Sequence, residues 1–250
     1  MSALTLAHDG PLAWITIDRP DRKHAWSAPM WAEMSRLMSE CASDESVRVV
    51  LIDSSGDRVF SAGADLDQFV GSDETGLRAA LDGVEGVMRA IETCPKPVLA
   101  VVSGAAVGAG LEIAAACDVR IASSDAWFSI PAAQLGVVIT RTDINRLVRA
   151  LGKSMAADLL LTGRRLTAQE AAGLGFVRSV HPAGELREAA GRLGREMAGL
   201  DSKALAAMKR HLTGIGAISW DEQAWRPSLG ALVSEETQER LRKRGPGASR

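Results

Sequence analysis

The chain has 250 residues, 46% of them hydrophobic and 24% charged, with a net charge of −2; it is long enough to bury a sizeable core, and its balanced charge gives no electrostatic reason to expect nucleic acid or a membrane surface as partner. Three widely spaced cysteines, Cys41, Cys94 and Cys117, argue against a disulfide framework and fit a reducing cytoplasm. Four scattered histidines without metal-ligand spacing point to no metal, and the lack of any tyrosine removes a phenol as acid or base.

In chain order, the opening MSALTLAHDG lacks a basic region followed by an apolar core, so no signal peptide is expected. LAWITID (12–18) alternates as a strand does, Ser27 with Pro29 opens a helix over residues 28–41, and VRVVLID (47–53) is again a strand. RVFSAGADLDQF (58–69) reads as strand, loop and helix with small residues at the bend. KPVLAVVS (96–103), DVRIAS (118–123) and FVRSV (176–180) supply further strands, and the apolar run near 97–117 is too interrupted to span a membrane. From about residue 183 onward the pattern is helical, and the tail GPGASR is expected to be disordered.

The segment SGAAVGAGLEIAAACD (103–118) carries the strongest functional signal. A valine-rich strand hands over to a helix of small residues through Gly108-Ala109-Gly110, and the first N–H groups of that helix have no intrahelical partner. Such donors can hold an oxygen that gains negative charge. Glu112 lies one turn further in, where desolvation raises a carboxyl pKa and suits it to carry a proton. The alternative is structural: the glycines allow close helix packing, and Glu112 is salt-bridged or faces water. A dinucleotide-binding motif is excluded because its third glycine position holds Ile113.

Two loops, FSAGADL (60–66) and KPVLAVVSGAAVGAGLEIAAACDVRIAS (96–123), resemble the crotonase superfamily, which contains enoyl-CoA hydratases and isomerases. ITIDRPDRKHAWS near the N-terminus, FSIPAAQLGV (128–137) and LGKSMAADLLLTGRRLTAQEAAGLGFVRSVHP (151–182) extend the match over most of the chain. The resemblance implies an α/β fold, a crotonase-like spiral of strand-strand-helix units over residues 1–190, with a C-terminal helical trimerisation extension over 191–250. It implies an acyl-CoA thioester as substrate, coenzyme A entering as part of that substrate with no separate cofactor, and a homotrimer or dimer of trimers. By position, the backbone N–H groups of Ala64 and Ala109 would form the oxyanion hole and Glu112 would be the acid/base. Lys23 and Ala25, together with Ala62, Asp65 and Leu66, match places that line the CoA channel. Gly110, Pro131, Ala132 and Leu135 match further substrate-binding positions. Asp65 has a structural alternative, capping the following helix or bonding loop N–H groups, and Lys23 one as a solvated surface residue.

Departures from the family pattern narrow the expected chemistry. Hydratases of this family use two glutamates to position and activate one water, and where the second should follow Pro131 the chain has Ala132. Thr140 stands where a related dehalogenase carries its nucleophilic aspartate, so that chemistry is not expected. Asp143 falls near a helix start, which favours a carboxylate by the macrodipole alone; the alternative is a substitute acid or base. Asp67, Asp73, Glu74 and Glu85 are further candidates for replacing the missing carboxylate. Glu112 acting alone suits an isomerase, or a hydratase whose substrate supplies its own polar group, better than a general fatty-acid hydratase. A non-catalytic acyl-CoA-binding protein and a scaffold working through its helical end are the rival readings.

Overall fold

The computed structural model describes residues 3–217 and 219–244; the GPGASR tail lies outside the described residues. The strands are β1 (Leu4–Asp9), β2 (Leu12–Ile17), β3 (Val49–Ser54), β4 (Val59–Ser61), β5 (Val98–Val102), β6 (Ala105–Val107), β7 (Val119–Ser123), β8 (Trp127–Ser129), β9 (Leu166–Thr167) and β10 (Ser179–His181). The helices are α1 (Ala28–Ser43), α2 (Glu74–Thr93), α3 (Ala109–Ala116), α4 (Ala132–Leu135), α5 (Arg141–Leu151), α6 (Lys153–Thr162), α7 (Ala168–Gly173), α8 (Ala183–Ala198), α9 (Ser202–Gly214), α10 (Glu222–Leu232) and α11 (Glu235–Arg244).

Strands β2, β3, β5, β7 and β10 run parallel in one sheet, with β1 antiparallel at its edge. Strands β4, β6 and β8 run parallel in a second sheet, closed by antiparallel β9. Each successive pair, β3 with β4, β5 with β6 and β7 with β8, places one strand in either sheet. The chain therefore winds as a spiral of strand-strand-helix units, the architecture its sequence implies.

Every residue of β3 and β5 is buried, because both faces of the large sheet are covered, as parallel sheets require. Alternation along the strands divides the load. Val50, Ile52, Val98, Ala100 and Val102 join the main core with α1, α2 and α3, while Val49, Leu51, Leu99 and Val101 pack on Leu186, Ala189 and Ala190 of α8.

The structure adds and moves some elements relative to the sequence reading. Strand β1 is new; Leu4 and Leu6 alternate with polar or small residues, and Asp9-Gly10, with Gly10 at φ +57, turns the chain into β2. The strand expected over 176–180 starts only at Ser179. Phe176 and Val177 belong instead to the turn closing α7, with their N–H groups bonded to the Ala171 carbonyl, and Phe176 meets Phe128 edge-on.

The helical end folds back on the rest of the chain. Leu229 and Leu232 of α10 and Leu241 of α11 pack with Phe69, Leu77, Ala80 and Leu81. The Gln238 side chain donates to the carbonyls of Phe69 and Leu232 and accepts from the Gly71 N–H. Arg78 of α2 lies 3.6 Å from the ring centroid of Trp225. No helix among the described residues is long and apolar enough to cross a membrane.

Helix α9 is tied down by one buried cation. The Lys209 ammonium donates to the carbonyls of Ile91 and Lys96 at 3.0 Å and to the Asp118 carboxylate at 2.6 Å. Burial pushes the Asp118 carboxyl up from its ordinary value, against the pull of Lys209. Lys209→Met leaves two carbonyls unpaired and the Asp118 carboxylate without its counter-charge, held by the Val98 N–H, and is expected to destabilise the fold by about 3 kcal/mol in urea denaturation. Adding Asp118→Asn should recover part of the loss.

Candidate active site

Two backbone segments meet at the centre of the molecule. One is the loop after β4, residues 62–65; the other is the junction of β6 and α3, where Gly108 is the N-cap at φ 52, ψ −122. A Cβ on Gly110 would lie 2.8 Å from the Ser61 carbonyl oxygen, and one on Gly63, at φ +96, would lie 2.8 Å from the Val107 oxygen and 3.3 Å from the Ala109 nitrogen. Only glycine permits that approach. The loop is further fixed by Ser61, whose hydroxyl donates to the His24 carbonyl and accepts from the Gly63 N–H, and by the Trp26 backbone, which bonds to Gly63 and Asp65.

These segments frame a cavity of about 140 Å³. Ala64 and Ala109 both line it, and neither N–H meets an acceptor among the described residues. Unpaired N–H groups in a largely buried setting are rare, and two together are a ready site for a developing oxyanion. The rest of the wall is mostly apolar, with Leu66, Phe69, Leu81, Val84, Leu135 and Leu232 contributing.

Glu112 also lines the cavity, at 5% exposure and with no side-chain hydrogen bond among the described residues. Its N–H bonds to the Gly108 carbonyl at 3.1 Å, which sets it in the first turn of α3. Burial, and then the charge of Asp143, push its carboxyl well above the ordinary glutamate value, with Arg146 partly opposing. The salt-bridged or solvent-facing alternative for Glu112 does not hold.

Asp143 takes its expected place at the helix start and is also on the cavity wall. It sits in the first turn of α5, its N–H bonded to the hydroxyl of the N-cap Thr140, and it lines the same cavity as Glu112. Its carboxylate accepts from the Thr140 hydroxyl at 2.5 Å and from Arg146 at 2.8 Å. Arg146 in turn clasps Glu85 with both terminal nitrogens, at 2.8 and 2.9 Å, and reaches Glu92 at 3.0 Å, while Arg149 takes the other oxygen of Glu92. Burial raises the Asp143 carboxyl, and Arg146 and Thr140 draw it back. The sequence reading overlooked Arg146. Its signal was the spacing of three from Asp143, which puts both on one helix face.

Of the positions singled out in the sequence, Ala62, Ala64, Leu66, Ala109, Glu112, Pro131, Ala132 and Leu135 line the cavity. Gly110 does not; it lies behind, against Ser61. Asp65 is turned to a structural task, paired with Arg19 at 2.7 Å and Arg22 at 2.9 Å and accepting from the Asp67 N–H. Its carboxylate is therefore occupied within the protein. Lys23 is exposed beside a neighbouring surface cleft that His24 and Arg58 also line, and Ala25 is buried in the adjoining loop. Lys23 and His24 both hold left-handed backbone angles, φ 51 and φ 56, which non-glycine residues adopt uncommonly.

The other candidate carboxylates are elsewhere. Asp67 pairs with Arg22, Asp73 caps α2 by accepting from Gly76, and Glu74 is exposed. Glu85 is buried but bound to Arg146 and Thr142, outside the cavity wall. No group of three metal-ligating side chains occurs among the described residues.

Known proteins share this architecture. Residues 8–223 match the family described as enoyl-CoA hydratase/isomerase. The chain is 34% identical over 192 residues to a short-chain-enoyl-CoA hydratase of Clostridium acetobutylicum, covering 76% of this chain and 73% of that one. It is 33% identical over 213 residues to the 2,3-dehydroadipyl-CoA hydratase of Escherichia coli, covering 85% and 82%. Among solved structures, an enoyl-CoA hydratase from Mycobacterium avium subsp. paratuberculosis superposes with a TM-score of 0.85 at 27% identity, over 97% of this chain and 98% of that one. With the spiral of strand pairs and the glycine-framed cavity, these matches make the chain a member of the enoyl-CoA hydratase/isomerase family of the crotonase superfamily.

Proposed function

We propose that the protein converts acyl-CoA thioesters by proton transfer beside the thioester carbonyl, with the Ala64 and Ala109 N–H groups holding the oxygen of an enolate and Glu112 carrying the proton. The observation that carries this reading is the convergence of two unpaired N–H groups and one buried, unpaired carboxyl on a single apolar cavity. The hydratase names of the relatives support a CoA ester as substrate.

The chemistry follows from where charge develops. A thioester oxygen seated between the two N–H groups becomes negative as the α-carbon loses a proton or the double bond is attacked, and fixed donors stabilise that state more than the ground state. Glu112, its carboxyl lifted well above the ordinary glutamate value by burial, is suited to take up or deliver the proton. The cavity volume of about 140 Å³ is close to the ~150 Å³ of an apolar cavity that accepts benzene, which suits an acyl group of about six carbons. Leu200, Met208, Leu212 and Ile215 are exposed on and around α9, an apolar surface consistent with a homotrimer or a dimer of trimers.

A non-catalytic binding role gains weight from Ala132, which can neither hold a water nor move a proton. The reading of an enzyme has more behind it, because a buried unpaired carboxyl is costly to keep unless it is used.

Glu112→Gln is expected to lower kcat by about 10²- to 10⁴-fold on both 2-enoyl-CoA and 3-enoyl-CoA substrates, with acyl-CoA affinity kept in calorimetry; equal turnover by the two proteins would remove Glu112 from the reaction. Ala109→Pro deletes one oxyanion donor at the first position of α3, where proline is tolerated. It should cost about 10²- to 10³-fold in kcat, with helix content by circular dichroism unchanged.

A further inference from the structure

We propose that Asp143 supplies the second carboxylate of this site, working with Glu112 as a pair that holds one proton and makes water addition to a 2-enoyl thioester available despite Ala132. The inference rests on the proposed acyl-CoA reading. Asp143 and Glu112 line one cavity from different helices, α5 and α3, and they are the titratable side chains on its wall among the described residues. Asp143 does not merely begin its helix. Its two oxygens are held separately, one by the Thr140 hydroxyl and one by Arg146, at 2.5 and 2.8 Å, which fixes the carboxylate without covering all its lone pairs.

The surroundings decide which member carries the proton. The groups facing the pair are Glu85 and Glu92 from α2 and Arg146 and Arg149 from α5. Together with Glu112 and Asp143 they make four carboxyls against two guanidiniums, so one carboxyl gains by staying neutral. Asp143 has two donors favouring its ionised form, whereas Glu112 has none. The proton therefore rests on Glu112, and the direction of its shift, driven by burial and by the charge of Asp143, agrees.

The two groups then divide the work of hydration. A water in the cavity gives a proton to Asp143 as its oxygen bonds to C3 of the enoyl chain. The C2–C3 π electrons move toward the thioester, whose oxygen takes the charge between Ala64 and Ala109. Glu112 delivers its proton to C2, yielding a 3-hydroxyacyl thioester. Asp143 is now protonated and Glu112 ionised; transfer of the proton from Asp143 to Glu112, directly or through the next water, restores the pair. In the reverse direction the same groups dehydrate the 3-hydroxyacyl thioester.

The test follows hydration of a six-carbon 2-enoyl-CoA by wild type, Glu112→Gln, Asp143→Asn and the double variant Ala132→Glu with Asp143→Asn, with acyl-CoA binding measured for each. Asp143→Asn should lose about 10²- to 10⁴-fold in kcat while still binding. With the neighbouring charge gone, the alkaline limb of its residual pH–rate profile should move to lower pH, because Glu112 then gives up its proton more readily. Restoring a carboxylate at position 132 should recover a measurable part of the rate. Hydration by Asp143→Asn at the wild-type rate, with Glu112→Gln inactive, overturns the role of Asp143 alone. A wild type that binds acyl-CoA but turns over no enoyl or hydroxyacyl ester overturns the enzyme reading and this proposal with it. Should Asp143→Asn fail to fold, infrared titration of the wild type decides: a protonated carboxyl band that persists at about pH 7 and is absent in Glu112→Gln supports the pair, and a glutamate titrating at its ordinary value of about 4.3 overturns it.

Discussion

The contact between the loop after β4 and the start of α3 governs what this molecule can do. Gly110 lies so close to the Ser61 backbone, and Gly63 to the Val107 carbonyl, that a single methyl group at either glycine would force the segments apart. Held together, they aim two N–H groups from different parts of the chain into one cavity. The spiral of strand pairs delivers them there: β4 and β6 are neighbours in the small sheet, so the residues that follow each strand emerge side by side. Sheet register and glycine placement thus set the spacing of the donors, and no side chain has to be positioned to make them.

Around this frame the protein keeps several charges out of water, and the arrangement is asymmetric. Arg146 neutralises Glu85 through a two-pronged contact and still reaches Glu92 and Asp143. Such a cluster contributes little net stability, since desolvation offsets most of the attraction. Its effect is positional: it locks α2 to α5 and fixes Asp143 on the cavity wall it shares with Glu112, whose carboxyl has no hydrogen-bond partner among the described residues. Packing along Val84, Val87, Met88 and Ile91 holds α2 against the core and so keeps Glu85 and Glu92 within reach of Arg146.

Much of the frame was legible in the sequence because it depends on local chemistry. Apolar runs marked β3, β5 and β7, and the glycine turn before LEIAAACD marked the start of α3, while the sequence left open whether Glu112 is buried or salt-bridged or faces water. What escaped was set by distant partners. Strand β1 exists because β2 offers it an edge, and the strand expected from Phe176 begins later because the end of α7 takes the Phe176 and Val177 N–H groups. Asp65, matched to a substrate-binding position, is claimed by Arg19 and Arg22 from a loop more than forty residues away. Asp143 reads first as a helix-start residue, since a first-turn aspartate satisfies the macrodipole whichever way its side chain is used; its place on the cavity wall is set by the fold and not by its local sequence.

The proposed use of a carboxylate at position 143 in place of one at 132 has a physical logic of its own. Helix α4 is a single short turn, Ala132–Leu135, none of whose residues is buried, and a long acidic side chain there would depend on neighbours to hold it. Helix α5 is longer, its aspartate is shorter, and the anchoring groups, the N-cap Thr140 and Arg146 on the helix, lie three residues to either side. An alanine at 132 leaves that part of the wall apolar and frees volume for an acyl chain. The two carboxyls are unequally held: Asp143 accepts from Thr140 and Arg146, whereas Glu112 has no side-chain hydrogen bond among the described residues. In the proposed hydration, that inequality is what would let one group accept a proton from water while the other delivers one to carbon.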